Sequence, residues 1–145
     1  MQEDTDLYTI HQVAEDETRS LDQIRNGLYA FNQSRINKAT YQPFNFLVYD
    51  QQEAPVGGIL GHRFGEGVFV EILWVEESHR GQGIGQSLLQ RLEQEARAAG
   101  GKTIHLDTDD FQAPQFYLRN GYEVFGTLEN VPLPGNTRYY MKKEL

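Results

Sequence analysis

The stretch that decides the fold is Leu73-Trp74-Val75-Glu76-Glu77-Ser78-His79-Arg80-Gly81-Gln82-Gly83-Ile84-Gly85. It joins an apolar run typical of a buried strand to an amphipathic run typical of a helix. Its alternating glycines would each cost about 1 kcal/mol inside a helix, so we expect them where the helix starts. There they leave backbone N–H groups bare, and the helix dipole adds positive potential. The stretch therefore predicts a binding site for a phosphate-bearing ligand, for which a diphosphate is the natural choice.

The same residues exclude two other kinds of phosphate-binding loop. The nucleotide P-loop needs Lys and then Ser or Thr after its last glycine, whereas Gly85 is followed by Gln86 and Ser87. The dinucleotide-binding fingerprint needs Gly-x-Gly-x-x-Gly in the first strand–helix unit, and the glycines here do not have that spacing. The specific signal is Arg-Gly-x-Gly-x-Gly between a strand and a helix.

The periodicity of apolar residues predicts a mixed α/β domain. Residues 21–39 have apolar positions at near-helical spacing, and we expect Gly27 and Asn32 to divide them into two short helices. The other predicted elements are strands at 7–13, 44–49, 56–63, 68–75, 103–106, 122–128 and 138–142 and helices at 83–99 and 113–119. A meander thus leads into a strand–helix–strand crossover, which makes one strand pair parallel.

The helix predicted at residues 83–99 carries a clear apolar stripe. We expect Ile84, Leu88, Leu89 and Leu92 to face inward and Gln90, Arg91, Glu93, Gln94 and Arg97 to face outward. Gly100 and Gly101 end this helix as a C-terminal cap.

Composition limits the classes of function. The 145 residues fit one domain, 1–145, and they include no cysteine, which removes disulfides, thiolate metal sites and a cysteine nucleophile. The net charge of −8, without a basic run longer than two residues, argues against nucleic acid. This charge either attracts a cationic acceptor or is the ordinary charge that keeps a protein in solution. No segment is apolar enough for a membrane span, and the acidic N-terminus lacks an export signal, so we expect a cytoplasmic protein. The histidines show no metal-ligand spacing, and we expect no metal.

Residues 73–85 resemble the signature of the GCN5-related N-acetyltransferase (GNAT) superfamily, Gln/Arg-x-x-Gly-x-Gly/Ala, with Arg80, Gly83 and Gly85 in the fixed positions. Residues 110–122 are similar to a second family segment, Asn-x-x-Ala-x-x-x-Tyr-x-x-x-Gly-Phe, although Asp110 replaces Asn and Tyr122 replaces Phe. The resemblance implies a mostly antiparallel sheet of six to seven strands with about four helices. It also implies a bulge that splays strand 4 from its parallel neighbour, strand 5.

By this resemblance the cofactor is acetyl-CoA, which serves as the acyl donor. The loop amides would bind its diphosphate, the edge of the fourth strand would pair with its pantetheine arm, and strand N–H groups would polarise the thioester carbonyl. The residues that the resemblance assigns to the cofactor are Leu73, Trp74, Val75, Arg80, Gly81, Gln82, Gly83, Ile84, Gly85, Asp110, Ala113 and Tyr117.

Catalysis is assigned to two side chains. Tyr117 matches the family tyrosine that protonates the departing thiolate, a role for which its ordinary pKa of about 10 is suitable. Glu71 shares a predicted strand face with Leu73 and Val75. It is either a base that acts on the acceptor ammonium through water, or an exposed residue or charge partner.

Acceptor binding has less specific candidates. Asp107 and Asp109 follow a predicted strand, and they either bind a cationic acceptor or cap the next helix. Tyr29, Phe31 and Asn32 lie in the helical region that the family uses for its acceptor, although aromatic residues at this spacing also suit a core. Of Tyr139 and its neighbour Tyr140, one is expected to face the core and the other the cleft.

The function that we predict from the sequence is direct transfer of an acetyl group from acetyl-CoA to a primary amine of a small molecule. One alternative is acetylation of a protein lysine or N-terminal amine. Another is a coenzyme A-binding regulatory module without turnover. A homodimer is compatible with family habit, although the sequence shows no interface stripe.

Overall fold

The computed structural model describes residues 2–4, 7–36 and 41–145. The chain divides into two compact units, Met1–Ala39 and Thr40–Leu145. Among the described residues, no helix is both long enough and apolar enough to cross a membrane.

The first unit contains a small sheet and one helix. Strand β1 (Gln2–Asp4) pairs with β2 (Thr9–His11) in antiparallel orientation, and helix α1 spans Thr18–Arg35. The strand predicted at residues 7–13 is therefore confirmed only over its centre, and it pairs with a strand that the sequence pattern did not reveal.

The prediction of two short helices in residues 21–39 is wrong. Helix α1 runs without a break through Gly27 and Asn32 and ends at Arg35. A single glycine costs a helix only about 1 kcal/mol, which the good helix formers around Gly27 offset. Residues 37–39 of that prediction lie outside the described part of the chain.

The second unit is built on a six-stranded sheet. Its strands are β3 (Tyr41–Tyr49), β4 (Pro55–Phe64), β5 (Gly67–Val75), β6 (Thr103–Asp109), β7 (Glu123–Glu129) and β8 (Thr137–Glu144). They lie in the order β3-β4-β5-β6-β8-β7, and every neighbouring pair is antiparallel except β5–β6. The unit also contains α2 (Ile84–Ala98), α3 (Pro114–Arg119) and a 3-10 turn at Glu77–His79. This mixed, mostly antiparallel sheet with one parallel pair confirms the predicted fold class.

Helix α2 forms the main core of the second unit against the sheet. Leu88, Leu89 and Leu92 are buried as predicted, in one cluster that includes Val68 and Ile104. The apolar stripe of the helix and the inward side chains of β5 and β6 therefore hold the central strands and α2 together.

The outward orientation predicted for Glu93 is wrong. Glu93 is 5% exposed, and its carboxylate accepts hydrogen bonds from the Lys143 ammonium on β8. A charged residue on a helix is placed outward by its hydropathy alone, but a partner from a distant strand makes burial tolerable.

The parallel pair separates soon after it forms. Pairing between β5 and β6 covers Gly67–Phe69 and Thr103–His105, after which β5 continues to Val75 and β6 to Asp109 without pairing to each other. In the neighbouring β4–β5 ladder, Gly61 pairs with Val70 and Leu60 with Ile72, so that Glu71 is an extra residue, a β-bulge. The bulge and the splayed pair are as expected from the family resemblance.

The bulge also changes which side chains of β5 face the core. Val70 is buried before the bulge and Leu73 packs against the core after it, whereas Glu71 and Ile72 between them are exposed. The expectation that Glu71 shares a face with Leu73 is therefore wrong, because an inserted residue breaks the alternation of a strand.

Candidate active site

A cleft with a volume of about 1040 Å³ lies where β5 and β6 diverge. One wall consists of the second half of β5, the glycine-rich loop and the start of α2, and the other consists of the end of β6, the next loop and α3. The sequence-predicted site residues that line the cleft are Glu71, Leu73, Trp74, Val75, Arg80, Gly81, Gly83, Ile84, Gly85, Asp107, Ala113 and Tyr117.

The glycine-rich loop presents unpaired amides at one end of this cleft. Gly81 and Gly83 have φ angles of 77° and 82°, a conformation that side chains with a Cβ rarely adopt. Within the described residues, the N–H groups of Gly81, Gln82 and Gly83 donate to no backbone carbonyl. The first N–H groups of α2 also lack partners inside the helix. The loop is thus a concave set of donors beside the positive end of a helix dipole, an arrangement that binds anions.

Arg80 holds the loop to the strand that precedes it. Its Nε donates a hydrogen bond to the carbonyl oxygen of Val75 at 2.8 Å, and its backbone N–H donates to Glu77 at 3.2 Å. These bonds within the protein fix the loop, so the free amides are preorganised. The side chain of Arg80 therefore staples the loop to β5.

Tyr117 lies on α3 in the wall opposite the loop. The residue is 8% exposed, its ring makes edge contacts with Phe116 at 5.1 Å and Tyr122 at 5.7 Å, and it lines the cleft. Within the described residues its hydroxyl has no hydrogen-bond partner. Burial and then the negative charge of Asp107 raise the pKa of Tyr117 to about 12. The phenol therefore keeps its proton throughout the neutral range and is available as a donor to a ligand.

Two carboxylates flank the opening between the splayed strands. The last paired residues are Phe69 and His105, so Glu71 and Asp107 each lie two residues further along β5 and β6. Both line the cleft and both are exposed. Negative charge at this position attracts a cationic ligand, and Asp107 is close enough to Tyr117 to act on its pKa.

Asp110 does not line the cleft, and its side chain makes hydrogen bonds within the fold. Its carboxylate accepts hydrogen bonds from the Asn136 side chain at 3.1 Å and from the Thr137 N–H at 3.0 Å. This carboxylate therefore fastens the loop before β8. The contact to a cofactor predicted for Asp110, like the one predicted for Gln82, stays a prediction, since neither residue lines the cleft.

The alternative that Asp107 and Asp109 cap the following helix is wrong. Helix α3 has Ala113 at its N-cap, and no side chain caps it. Asp109 is 8% exposed and instead pairs with Arg138 of β8 at 2.9 Å. That ion pair leaves Asp107 as the acidic side chain of β6 that faces the cleft.

The remaining acceptor-site predictions concern one residue of the second unit and three residues of the first. Tyr139 packs against the core of the second unit, and it does not line the cleft. Tyr29, Phe31 and Asn32 lie on α1 in the first unit. Their role in acceptor binding stays a prediction.

Several cleft residues escaped the sequence analysis. Phe111, Phe116 and Arg119 line the wall formed by α3 and the loop before it. Phe116 contacts the position where Gly85 would carry a Cβ, at 3.6 Å, so the last glycine of the loop admits an aromatic ring beside the first turn of α2. In the sequence, the sign of this contact is the glycine at residue 85, and a glycine does not identify the residue that packs against it.

Comparisons with known proteins agree with this geometry. Residues 6–122 match the model of the Acetyltransferase (GNAT) family. The chain is 33% identical over 105 residues to "Acetyltransferase Atu2258" of Agrobacterium fabrum, an alignment that covers 72% of this chain and 77% of that protein. It is 40% identical over 90 residues to "Blasticidin-S acetyltransferase" of Streptomyces morookaense, which covers 61% of this chain and 65% of the relative.

A solved structure has the same fold across nearly its whole length. A crystal structure of an acetyltransferase from Agrobacterium tumefaciens superposes with a TM-score of 0.83 at 29% identity and covers 95% of this chain and 98% of that chain. The glycine-rich loop, the splayed strands and the tyrosine of α3 thus lie within residues 6–122, the part of the chain that matches the family model. The protein belongs to the GNAT acetyltransferase family and is an acetyltransferase.

Proposed function

We propose that the protein transfers the acetyl group of acetyl-CoA directly to a primary amine of a small molecule in the cleft between β5 and β6. The observation that carries this proposal is the set of free amides at Gly81, Gln82 and Gly83 at one end of a cleft whose other wall presents Tyr117. Such a cleft suits a long donor with an anionic linker and a reactive end.

Coenzyme A has two parts that fit this cleft. Its diphosphate would accept hydrogen bonds from the loop amides and from the first turn of α2, where the helix dipole also favours negative charge. Beyond Phe69, the edge of β5 that faces β6 is unpaired. The amides of the pantetheine arm would pair with this edge as an added strand does.

The reaction that we propose has no covalent enzyme intermediate. The sequence has no cysteine, and none of the described residues that line the cleft is a serine. The acceptor amine would attack the thioester carbonyl, a C–N bond would form and the C–S bond would break. Coenzyme A would leave as a thiolate, which would take up, through water, the proton that the new amide nitrogen loses. Unpaired N–H groups of β5 near Leu73–Val75 would stabilise the oxyanion of the tetrahedral intermediate.

The structure modifies the role proposed for Tyr117. A pKa of about 12 is further from the thiol value of about 8.5 than the ordinary tyrosine value is. The raised pKa makes the phenol a weaker acid than an ordinary tyrosine, so we propose that it stabilises the departing sulfur by a hydrogen bond. The proton that the acceptor ammonium loses would go to Glu71 through water, the base role that the sequence left open.

A cationic small molecule is the acceptor that the acidic mouth of the cleft supports. Glu71 and Asp107 line the opening, and the whole chain carries a net charge of −8. One relative is named for acetylation of blasticidin S, a small molecule. Acetylation of a lysine in a protein is the alternative, which the assay below distinguishes.

Donor binding is tested by two variants that differ only in charge. Asp and Asn both tolerate positive φ and both cap helices, so Gly83→Asp and Gly83→Asn should fold equally well. We expect Gly83→Asp to weaken acetyl-CoA binding by about 100-fold more than Gly83→Asn, because its carboxylate repels the diphosphate. Isothermal calorimetry measures both affinities, and equal affinities of the two variants would contradict the placement of the diphosphate.

Tyr117→Phe tests the phenol without changing its ring. We expect kcat to fall by about 100-fold, at an unchanged affinity for acetyl-CoA, because one hydrogen bond to the leaving sulfur is lost. In a titration followed at 295 nm, the phenolate absorbance that the variant lacks should develop well above pH 10, because burial and the charge of Asp107 raise the pKa of Tyr117. If the difference in absorbance between the wild type and Tyr117→Phe develops near pH 10 instead, it would contradict the buried position of Tyr117 beside Asp107.

The acceptor class is tested by release of the coenzyme A thiol. We expect turnover with blasticidin S or an aminoglycoside to exceed turnover with a lysine peptide. Glu71→Gln should lower kcat/KM for the best acceptor by about 100-fold, as loss of a general base does. The exposed Glu66 pairs with Lys102, so Glu66→Gln is the matched control and should have no effect. Faster turnover with the peptide would contradict the small-molecule acceptor.

A further inference from the structure

A buried ion pair lies behind the wall that carries Tyr117. The Lys143 ammonium of β8 donates to both carboxylate oxygens of Glu93 on α2, at 2.8 and 3.2 Å. The side chains of Glu93 and Lys143 are only 6% and 28% exposed. Neither residue lines the cleft, so the chemistry proposed above does not use them.

The third donor of the ammonium is used on α3. Lys143 Nζ lies 2.9 Å from the backbone carbonyl oxygen of Asn120, the C-cap of that helix. An ammonium has three N–H donors, so this set satisfies all of them. A positive charge at the C-terminus of a helix is also favoured by the helix dipole. Lys143 therefore connects the buried carboxylate of α2 to the end of the helix that carries Tyr117.

Helix α3 needs such an anchor. It has only six residues, and no side chain caps its N-terminus. A helix of this length does not hold its own conformation in water, so its orientation depends on contacts with the rest of the protein.

Tyr122 continues the connection from the ion pair to Tyr117. Its hydroxyl lies 3.5 Å from a Glu93 carboxylate oxygen, and Lys143 Nζ lies 5.6 Å from the centre of its ring. Its backbone N–H donates to the carbonyl oxygen of Tyr117 at 3.0 Å, and its ring meets the Tyr117 ring edge-on. One aromatic residue, Tyr122, thus connects the ion pair to Tyr117.

We propose that Glu93 and Lys143 are positioning residues for Tyr117, which hold α3 so that the phenol faces the reacting end of the cleft. The inference rests on the proposed role of Tyr117. Stability alone is a weak reason for this pair, since apolar residues of similar volume often replace a buried ion pair at no cost. What an apolar pair lacks is the directed bond to the Asn120 carbonyl.

The experiment is a double-mutant cycle between Lys143→Met and Tyr117→Phe, assayed by thiol release with the best acceptor from the screen above. We expect Lys143→Met to lower kcat by about 10- to 100-fold, as a small misplacement of a reacting group does. Its affinity for acetyl-CoA should stay within twofold, because the glycine-rich loop is untouched. In the Tyr117→Phe background, Lys143→Met should have no further effect on kcat.

The matched control is the adjacent Lys142, which makes an exposed contact of 3.9 Å with Glu123. Lys142→Met should leave kcat unchanged. Glu93→Gln keeps the shape of the buried side chain, so it serves as the second variant if Lys143→Met does not fold. It should show the same loss of kcat and the same dependence on Tyr117.

Three outcomes would overturn the inference. Equal losses of kcat in the presence and absence of the Tyr117 hydroxyl would show a general structural effect. A loss of acetyl-CoA affinity large enough to account for the lower rate would also show a general structural effect. If Tyr117→Phe alone leaves kcat unchanged, the proposed role of Tyr117 fails and the positioning role fails with it, whereas an additive cycle refutes positioning alone.

Discussion

The site depends on the early end of pairing between β5 and β6. Two parallel strands that stayed paired to their ends would leave no space between them and no free edge on β5. Here the pairing stops after Phe69 and His105, and the bulge at Glu71 in the adjoining ladder marks the point of divergence. Bulges bend the strand that carries them and are frequent next to active sites. The inserted residue, Glu71, thus lies where the cleft opens and where β5 has an unpaired edge. Its own carboxylate is exposed at the cleft mouth.

The other parts of the site are placed by the same two strands. β5 leads through the Arg80-stapled loop into α2, whose apolar stripe anchors the free amides to the core. β6 leads into α3, which brings Tyr117 to the opposite wall. The elements proposed to bind the donor and the proposed catalytic side chain therefore come from the two sides of one gap. A change in strand divergence would alter the distance between them.

The sequence predicted the parts of the site that depend on local pattern. The alternating glycines predicted a loop with bare amides at the start of α2, where Gly81 and Gly83 adopt positive φ, and the spacing of apolar residues predicted the buried positions Leu88, Leu89 and Leu92. The family resemblance supplied the bulge but not its consequence for Glu71. Which face an inserted residue takes depends on the register with β4, and no periodicity within β5 contains that register.

Long-range contacts explain the other failures of sequence analysis. Glu93 was placed outward because its partner, Lys143, is 50 residues away in the sequence. The hydrogen bonds of the Asp110 carboxylate with Asn136 and Thr137 were not foreseen either, because these partners lie 26 and 27 residues away in the sequence; the cofactor contact predicted for Asp110 stays a prediction. Helix α1 continues through Gly27, because the propensities of a long helix are summed and one unfavourable residue does not decide its end.

A crystal structure of the complex with acetyl-CoA would show directly whether the loop amides bind the diphosphate. We expect diphosphate oxygens at hydrogen-bond distance, about 2.7–3.2 Å, from the backbone nitrogens of Gly81, Gln82 and Gly83, with the thioester between β5 and β6. A diphosphate bound elsewhere on the protein, with these amides still unpaired, would contradict it.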